Sequence, residues 1–407
     1  MPRIDGKRLL ADLQHIRGFG RFETGVHRPT FSPEDVAARQ WLAGRMAEAG
    51  LAPSIDGVGN VLGRSPAAGP CLLMGSHTDT QPRGGWLDGV MGVIYGLEAA
   101  RAFAEEPAAA GLSIDVASWA DEESHYLSFL GSRSFVGQLP EAEIDNAKHR
   151  EDGTPLRQAI AQAGFAGRPR LTLEEGRYRG YLEAHIEQGG SLETDGKRIG
   201  VVTSIVGIFQ YRMTFEGRQN HAGTTPMPIR KDSGVALVRL LAQVNDRFAA
   251  IAGPRTVWTA GRILLHPGAP SIIPGKAEVL LQFRDGELTQ MQRMEEELVR
   301  LVAEANAMGP CAVSLETLSR TPPTAMDARL QDAVAAAAEA HAPRGWMRMP
   351  SGAGHDAQIL ARRLPAGMLF VPSIGGVSHH YSEDTAEADL VLGCQVFCDA
   401  AFRFLKA

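Results

Sequence analysis

Apolar residues in the first half of the chain follow two patterns. Apolar positions three or four residues apart predict helices, whereas short continuous apolar runs predict buried strands. The predicted helices are Arg8–Ile16, Pro33–Ala49 and Gly89–Phe103, and the predicted strands are Val58–Leu62, Cys71–Gly75, Ile114–Trp119 and Tyr178–Leu182. Strands that alternate with helices indicate an α/β domain built on a mixed, mostly parallel sheet with helices on both faces.

The pattern changes near residue 207. One strand with alternating polar and apolar residues, three further strands and two long helices follow in the order β-α-β-β-α-β. These elements are Phe209–Phe215, Ser233–Ala249, Arg255–Leu265, Lys276–Phe283, Gln290–Ala307 and Cys311–Thr317. We therefore predict an inserted ferredoxin-like α+β domain over residues 208–321. Residues 1–207 and 322–407 together form the other, discontinuous domain, because 407 residues exceed what one core usually organises.

Composition and charge exclude several classes of protein. A net charge of −6 and an isoelectric point near 6.1 do not favour binding to nucleic acid. The N-terminus lacks the apolar segment of a signal peptide, and no apolar run is long enough to cross a membrane, so we expect a cytoplasmic protein with no membrane partner. The four cysteines lack metal-binding spacing and predict reduced thiols.

Acidic residues and histidines occur where predicted strands end. His77 and Asp79 follow one strand, Asp88 lies in a glycine-rich loop before a helix, and Glu122 and Glu123 follow the next strand. Each feature alone also has an ordinary structural explanation, such as a polar surface loop, a helix N-cap or a solvated acidic run. Ligands of parallel sheets bind beyond the carboxyl ends of the strands, however, so the shared location favours one site.

Two further histidines complete this set. His185 follows the predicted strand Tyr178–Leu182, and His379 follows the apolar stretch Met368–Pro372. A lone histidine is more often structural than a metal ligand. Three imidazoles together with three carboxylates at strand ends nevertheless suit a divalent metal centre.

The chain resembles the M20 family of metallopeptidases and amidases. The resemblance is closest to the hydantoinase/carbamoylase branch, which includes N-carbamoyl-L-amino acid hydrolases, allantoate amidohydrolases and β-ureidopropionases. The matching segments are GSHTDTQPRGGWLDGVMGV, DEES, EAHIEQG, NHAGTTPM, SGAGHDAQ and VPSIGGVSHH. They lie in the family's order and span almost the whole chain.

This resemblance implies a role for each residue of the metal site. Two divalent ions, Zn²⁺, Mn²⁺ or Co²⁺, would be held by five ligands, and two other carboxylates would assist. One ion would take His77 and His185, the other Glu123 and His379, and Asp88 would bridge both; Asp79 would support His77, and Glu122 would be the general base.

The resemblance also implies how the substrate is held. The inserted domain would act as a lid and would form a homodimer, with His221 stabilising the oxyanion. The other implied contacts to a small carboxylate-bearing substrate are Gln188, Gln210, Ser271, Arg284 and Ala353. Relatives carry an asparagine where this chain has Ser271, and they carry a basic residue and an aromatic at Trp86 and Leu87. These departures put the identity of the substrate in doubt and leave the metal ligands intact.

The expected reaction is hydrolysis of a linear, non-peptide C–N bond in an N-carbamoyl amino acid or a related ureido acid. Cleavage of a dipeptide or of an N-acyl amino acid on the same scaffold is the alternative. A non-catalytic binding homologue is a third reading, but it predicts loss of Glu122 or of a ligand, and all of these residues are present.

Overall fold

The computed structural model describes all residues from Met1 to Ala407 and divides into two compact units. Unit 1 comprises Met1–Thr203, Ala325–Met349 and Ala353–Ala407, and unit 2 comprises Ser204–Thr324 with Pro350–Gly352. The mixed α/β class predicted from the sequence is confirmed. None of the helices has an apolar stretch long enough to span a bilayer.

Unit 1 contains most of the helices. They are Gly6–Arg17, Pro33–Glu48, Val90–Glu105, Leu130–Phe135, Glu141–Asn146, Leu156–Gln162, Ser191–Thr194, Ala328–His341, Asp356–Leu360 and Glu387–Lys406. Side-chain caps define several of their starts, since the carboxylate of Asp5 accepts from the N–H groups of Lys7 and Arg8, and the hydroxyl of Ser32 accepts from that of Asp35.

A nine-stranded mixed sheet forms the centre of unit 1. Across the sheet the strands run Thr324–Ala325, Ile199–Ile205, Ala366–Val371, Tyr178–Ile186, Cys71–His77, Ser113–Trp119, Val61–Arg64 and Ala52–Ile55, and Trp346–Ser351 pairs with Ile199–Ile205. The three pairings among the four strands from Ala366–Val371 to Ser113–Trp119 are parallel. The pairings that flank them are antiparallel, so the predicted parallel arrangement holds only for the centre of the sheet.

Helices cover both faces of this sheet. Leu182, Ala184 and Ile186 share a buried cluster with residues of the helices Val90–Glu105 and Glu387–Lys406. Glu183, which alternates with them along the strand, instead accepts a hydrogen bond from the N–H of Ala357 in the helix Asp356–Leu360. Successive residues of a strand point to opposite faces, which explains how one strand contacts both layers.

Unit 2 contains a four-stranded antiparallel sheet. Its strands lie in the order Val257–His266, Lys276–Asp285, Gly207–Glu216 and Ala312–Thr321, and its long helices are Ser233–Ile251 and Leu288–Met308. Phe209, Tyr211, Met213 and Phe215 are buried with the helices, whereas the residues between them are more exposed. A two-stranded pairing of Asn220–His221 with Ile272–Ile273 completes the unit.

Several predicted boundaries were wrong. The strand Tyr178–Ile186 continues past the predicted end at Leu182, so His185 lies within it. Likewise, Cys71–His77 includes His77 as its last residue. The sequence analysis also missed short strands such as Ala52–Ile55, whose alternation is brief. All four cysteines are buried and unpaired, as predicted.

Candidate metal centre

The four central parallel strands bring the predicted metal ligands to one edge of the sheet. His77 ends its strand opposite Trp119, and Glu122 and Glu123 follow Trp119 by a few residues. His185 is level with Phe370 on the next strand, whose chain continues to His379. The pairing register therefore explains why residues distant in sequence meet here.

Asp88 is central to this arrangement because its two oxygens face different histidines. Its Oδ1 lies 3.0 Å from Nε2 of His185 and 3.7 Å from Nε2 of His77. Its Oδ2 lies 3.4 Å from Nε2 of His379. Asp88 thus lies between His77 and His185 on one side and His379 on the other.

The two buried imidazoles are oriented by main-chain carbonyls. Nδ1 of His77 lies 3.0 Å from the carbonyl oxygen of Asp79, and Nδ1 of His185 lies 2.9 Å from that of Ile186. Both rings therefore direct Nε2 towards Asp88, as metal-binding histidines with an outer hydrogen-bond partner do. The Asp79 carboxylate, predicted as the partner of His77, is 3.7 Å from Nδ1 and instead accepts from the N–H of Glu123 at 3.2 Å.

A close approach of backbone and ring shapes the loop that carries Asp88. Gly89 has a φ of +67°, and a Cβ atom built on it would lie 2.4 Å from the ring of His77. Because any other residue would collide with this imidazole, glycine is required at this position. The tight fit keeps Asp88 at the level of the two buried histidines.

The acidic residues of the site repel one another in the absence of a cation. Burial, and then the charges of Glu123, Asp356 and Asp88, raise the pKa of Glu122 well above its usual value. Burial, followed by the charges of Asp88 and Asp79, does the same for the pKa of Glu123. Bound cations would relieve this repulsion, so the electrostatics of the site favour metal binding.

Two groups of side chains at the site have the composition of metal ligands. His77, Asp88 and His185 form one, and Asp88, Glu123 and His379 form the other, with the candidate ligand atoms of each group within 4.8 Å of one another. Two imidazoles with a carboxylate, and two carboxylates with an imidazole, suit Zn²⁺, Mn²⁺ or Co²⁺. Glu122 belongs to neither group, although its Oε2 lies 3.7 Å from Nε2 of His77. The residues present thus fit one or two divalent ions.

A third group, Asp79, Asp121 and His125, also lies within 4.8 Å but has another explanation. The Asp121 carboxylate accepts from three consecutive backbone N–H groups, those of residues 125–127. Burial acts to raise the pKa of Asp79, but the interactions with His77, His125 and Arg39 together lower it. Because three backbone donors already compensate the Asp121 carboxylate, we assign this group to the shape of the acidic loop.

The sequence analysis missed a buried carboxylate beside the metal groups. Oε1 of Glu383 accepts from the N–H groups of Asp88 at 3.1 Å and Leu87 at 3.4 Å, and its Oε2 accepts from the Ser378 hydroxyl at 2.9 Å. Burial and the charge of Asp88 raise the pKa of Glu383 to about 8. An acidic residue four positions after His379 was the only signal in the sequence that could have identified it.

The sequence analysis also missed two buried side chains next to His185, those of Glu183 and His355. Glu183 is fully buried, and its oxygens accept from the hydroxyl of Ser76 at 2.7 Å and from the N–H of Ala357 at 2.8 Å. Burial raises the pKa of Glu183 to about 7. The ring of His355 packs edge-on against that of His185, with centroids 4.5 Å apart. A charged residue within an otherwise apolar strand was the available signal for Glu183.

Within unit 2, the predicted substrate contacts fall into two places. His221 is exposed, and its Nδ1 accepts from the N–H of Gly223 at 3.0 Å. The carbonyl of Ser271 accepts from the N–H of Ala222, so Ser271 lies next to the His221 segment. Gln210 lies on the strand beside that of Arg284, directly opposite Gln282.

Arg284 and the loop that follows Ser351 are the remaining predicted contacts. Nε of Arg284 donates to Oε1 of Gln282, and its Nη1 donates to the carbonyl of Gly352, both at 3.3 Å. These contacts leave Nη2 available to an anion. Ala353 is half-buried in the bend that follows Gly352.

Comparisons with known proteins identify the family and several similar proteins. Residues 73–403 match peptidase family M20/M25/M40. The chain is 33% identical over 419 residues to the N-carbamoyl-L-amino-acid amidohydrolase of Paenarthrobacter aurescens, covering 100% of this chain and 99% of the relative. It is 32% identical to the allantoate amidohydrolase of Bacillus subtilis, covering 93% and 92%. An amidase of the hydantoinase/carbamoylase family from Burkholderia phymatum superposes with a TM-score of 0.94 at 53% identity, covering 100% and 99%.

Proposed function

Because the chain belongs to peptidase family M20/M25/M40, we propose that it is a metal-dependent amidohydrolase that cleaves the ureido C–N bond of an N-carbamoyl amino acid or a related ureido acid. The observation that carries this proposal is the position of Asp88 between His77 and His185 on one side and His379 on the other. Relatives named N-carbamoyl-L-amino-acid amidohydrolase and allantoate amidohydrolase support the substrate class.

We assign the ligands to two divalent ions. His77 and His185 would hold one ion, Glu123 and His379 the other, and Asp88 both. When bound, such ions activate water and polarise the scissile carbonyl. Glu122 is close to His77 yet outside both ligand groups, so its carboxylate is free for proton transfer.

Glu122 would accept the proton of the attacking water and pass it to the leaving nitrogen. Burial raises the pKa of Glu122, which brings its carboxylate closer to the value that suits a general base near neutral pH. Asp79, through the N–H of Glu123, would help to hold the acidic loop in place.

Substrate recognition would depend on Arg284 and on the other contacts that the family resemblance implies. Arg284 is the expected partner of the substrate carboxylate, because a guanidinium can donate two hydrogen bonds to it. His221 would stabilise the oxyanion, and Gln188, Gln210, Ser271 and Ala353 would line the substrate. Ser271 offers one hydroxyl donor, which sets its contact apart from that of an amide side chain.

A homodimer is also proposed, because unit 2 has an unprotected sheet edge. The strand Val257–His266 pairs on one side only, with Lys276–Asp285. Its Val257 and Ile263 are 56% and 49% exposed. A long, apolar edge strand favours pairing with another chain. Light scattering coupled to size exclusion should give twice the mass of the 43.7 kDa chain, and Ile263→Lys should shift the protein to the monomer.

Product identity tests the proposed reaction. The protein is incubated with Mn²⁺, Zn²⁺ or Co²⁺ and with N-carbamoyl amino acids, allantoate, N-acyl amino acids or dipeptides. Hydrolysis of an N-carbamoyl amino acid should give ammonia, carbon dioxide and the free amino acid in equal amounts, and chelation should abolish turnover. Full activity after metal removal, or turnover of dipeptides and N-acyl amino acids alone, would refute the proposal.

A further inference from the structure

In the side-chain amide of Gln188 the nitrogen has hydrogen-bond partners, whereas the oxygen has none. Its Nε2 lies 3.0 Å from Oδ2 of Asp88, 3.2 Å from Oγ of Ser378 and 3.3 Å from Nε2 of His379. Its Oε1 is buried and has no hydrogen-bond partner within the protein. A buried carbonyl oxygen without a donor is costly, which points to a ligand that provides one.

The neighbours of Gln188 determine which end of its amide is free. The carboxylate of Asp88 can only accept, so the amide atom beside it is the nitrogen. Oγ of Ser378 accepts from the same nitrogen, and therefore its single proton goes to Oε2 of Glu383 at 2.9 Å. Reversing the amide would place its oxygen next to the Asp88 carboxylate, so that two acceptors would face each other with no donor between them.

Glu383 holds the far end of this chain of hydrogen bonds. Three donors point at its two oxygens, namely the N–H groups of Leu87 and Asp88 and the hydroxyl of Ser378. These three contacts hold both carboxylate oxygens of Glu383 in place. Glu383 thus connects the loop of Asp88 to the segment that carries Ser378.

The backbone of Gln188 is fixed as well. Its φ of +58° lies in the left-handed region, which is unfavourable for a residue other than glycine. Its N–H donates to the hydroxyl of Ser373, a fully buried residue, at 3.1 Å. Strained backbone held by buried partners is common where a side chain must be aimed.

We propose that Ser378 and Glu383 are positioning residues that keep the Gln188 amide oxygen free to accept an N–H from the terminal NH₂ of a carbamoyl group. The inference rests on the proposed function and extends it to the choice of the scissile group. A carbamoyl group carries these N–H donors, whereas a formyl group has only C–H at the same place. Selection of ureido over acyl substrates would therefore depend on Ser378, which need not touch the substrate.

The test compares kcat/KM for an N-carbamoyl and an N-formyl derivative of the same amino acid. In Ser378→Ala the carbamoyl-to-formyl ratio should fall about threefold to tenfold, the equivalent of one hydrogen bond. Ser378→Thr, which keeps the hydroxyl, should restore most of the ratio. Ser382→Ala is the matched control, because Ser382 lies in the same segment and contacts only His380 through its hydroxyl.

A double-mutant cycle separates positioning from general damage to the site. In a Gln188→Leu background, Ser378→Ala should cause no further change in the ratio, because the amide that it orients is gone. Metal content per chain should be equal in the wild type and in Ser378→Ala. An unchanged ratio in Ser378→Ala, or an equal fall with and without Gln188, would overturn the inference while the proposed function stands. Absence of any carbamoyl hydrolysis by the wild type would overturn both.

Discussion

Metal binding to the metal-free protein should release protons, because the pKa values of two of the proposed ligands are raised. Burial alone would lower the pKa of His185, but its hydrogen bond to Asp88 and the charge of that carboxylate raise it to about 9. The Asp88–His185 pair therefore carries one proton that a cation must displace. Glu123, whose pKa burial and the charges of Asp88 and Asp79 raise well above its usual value, is the second source.

The size of the effect follows from the number of protons displaced. Each proton lost on binding makes the apparent metal affinity rise about tenfold per pH unit, or about 1.4 kcal/mol. The Asp88–His185 pair alone gives roughly a hundredfold rise over two pH units on the acidic side of pH 9. If Glu123 also releases a proton, the apparent metal affinity should rise by as much as about a hundredfold per pH unit. Above pH 9 the contribution of the pair should level off.

Titration calorimetry in two buffers with different ionisation enthalpies counts these protons directly. At neutral pH we expect between one and two protons released for the first pair of ions bound. His341→Gln is a suitable control, because His341 pairs with Asp399 at 3.2 Å and belongs to none of the metal-ligand groups. An affinity that does not change between about pH 6.5 and pH 8.5, with no proton released, would refute the reasoning.

Three further predictions concern catalysis, recognition and stability. Glu122→Gln should lower kcat about 100-fold to 10,000-fold with unchanged metal content, and normal turnover would remove Glu122 from the mechanism. Arg284→Lys should raise KM about tenfold to a hundredfold for a carboxylate substrate, but an equal rise for the matching carboxamide would contradict carboxylate recognition. Arg39→Met should lower the free energy of unfolding in urea by about 3–5 kcal/mol, since it leaves the fully buried Asp35 uncompensated. Arg348→Met, which breaks an exposed pair, should cost at most about 1 kcal/mol; equal losses would contradict the burial argument.

The sequence predicted which residues would meet at the sheet edge better than it predicted how they would be oriented. His77, Glu122 and His185 could be placed together because parallel strands end at a common edge. The hydrogen bond of His77 to the carbonyl of Asp79 could not be predicted, because it depends on how the chain turns after the strand. A sequence motif shows which side chains follow one another. The partner of His77 is a main-chain carbonyl, which no motif identifies.

Contacts between residues far apart in the chain could not be predicted from the sequence either. Glu383 contacts the N–H of Asp88 over a separation of 295 residues, and no local pattern records such a contact. The end of the strand Tyr178–Ile186 was missed for a related reason. A glutamate at position 183 interrupts the apolar run, and the donors of Ser76, Ala357 and Tyr181 make its burial acceptable.

The unequal burial of the two ligand groups implies unequal exchange with the solvent. His77, Asp88 and His185 are all buried, whereas the side chain of His379 is 52% exposed. We expect an ion held by His379 to leave first when a chelator is added, while an ion between His77 and His185 dissociates more slowly. A short treatment would then produce half-loaded protein, and a different metal could be added to the emptied position. The protein would in this way accommodate mixed-metal forms, whose composition reflects the order in which the ions were supplied.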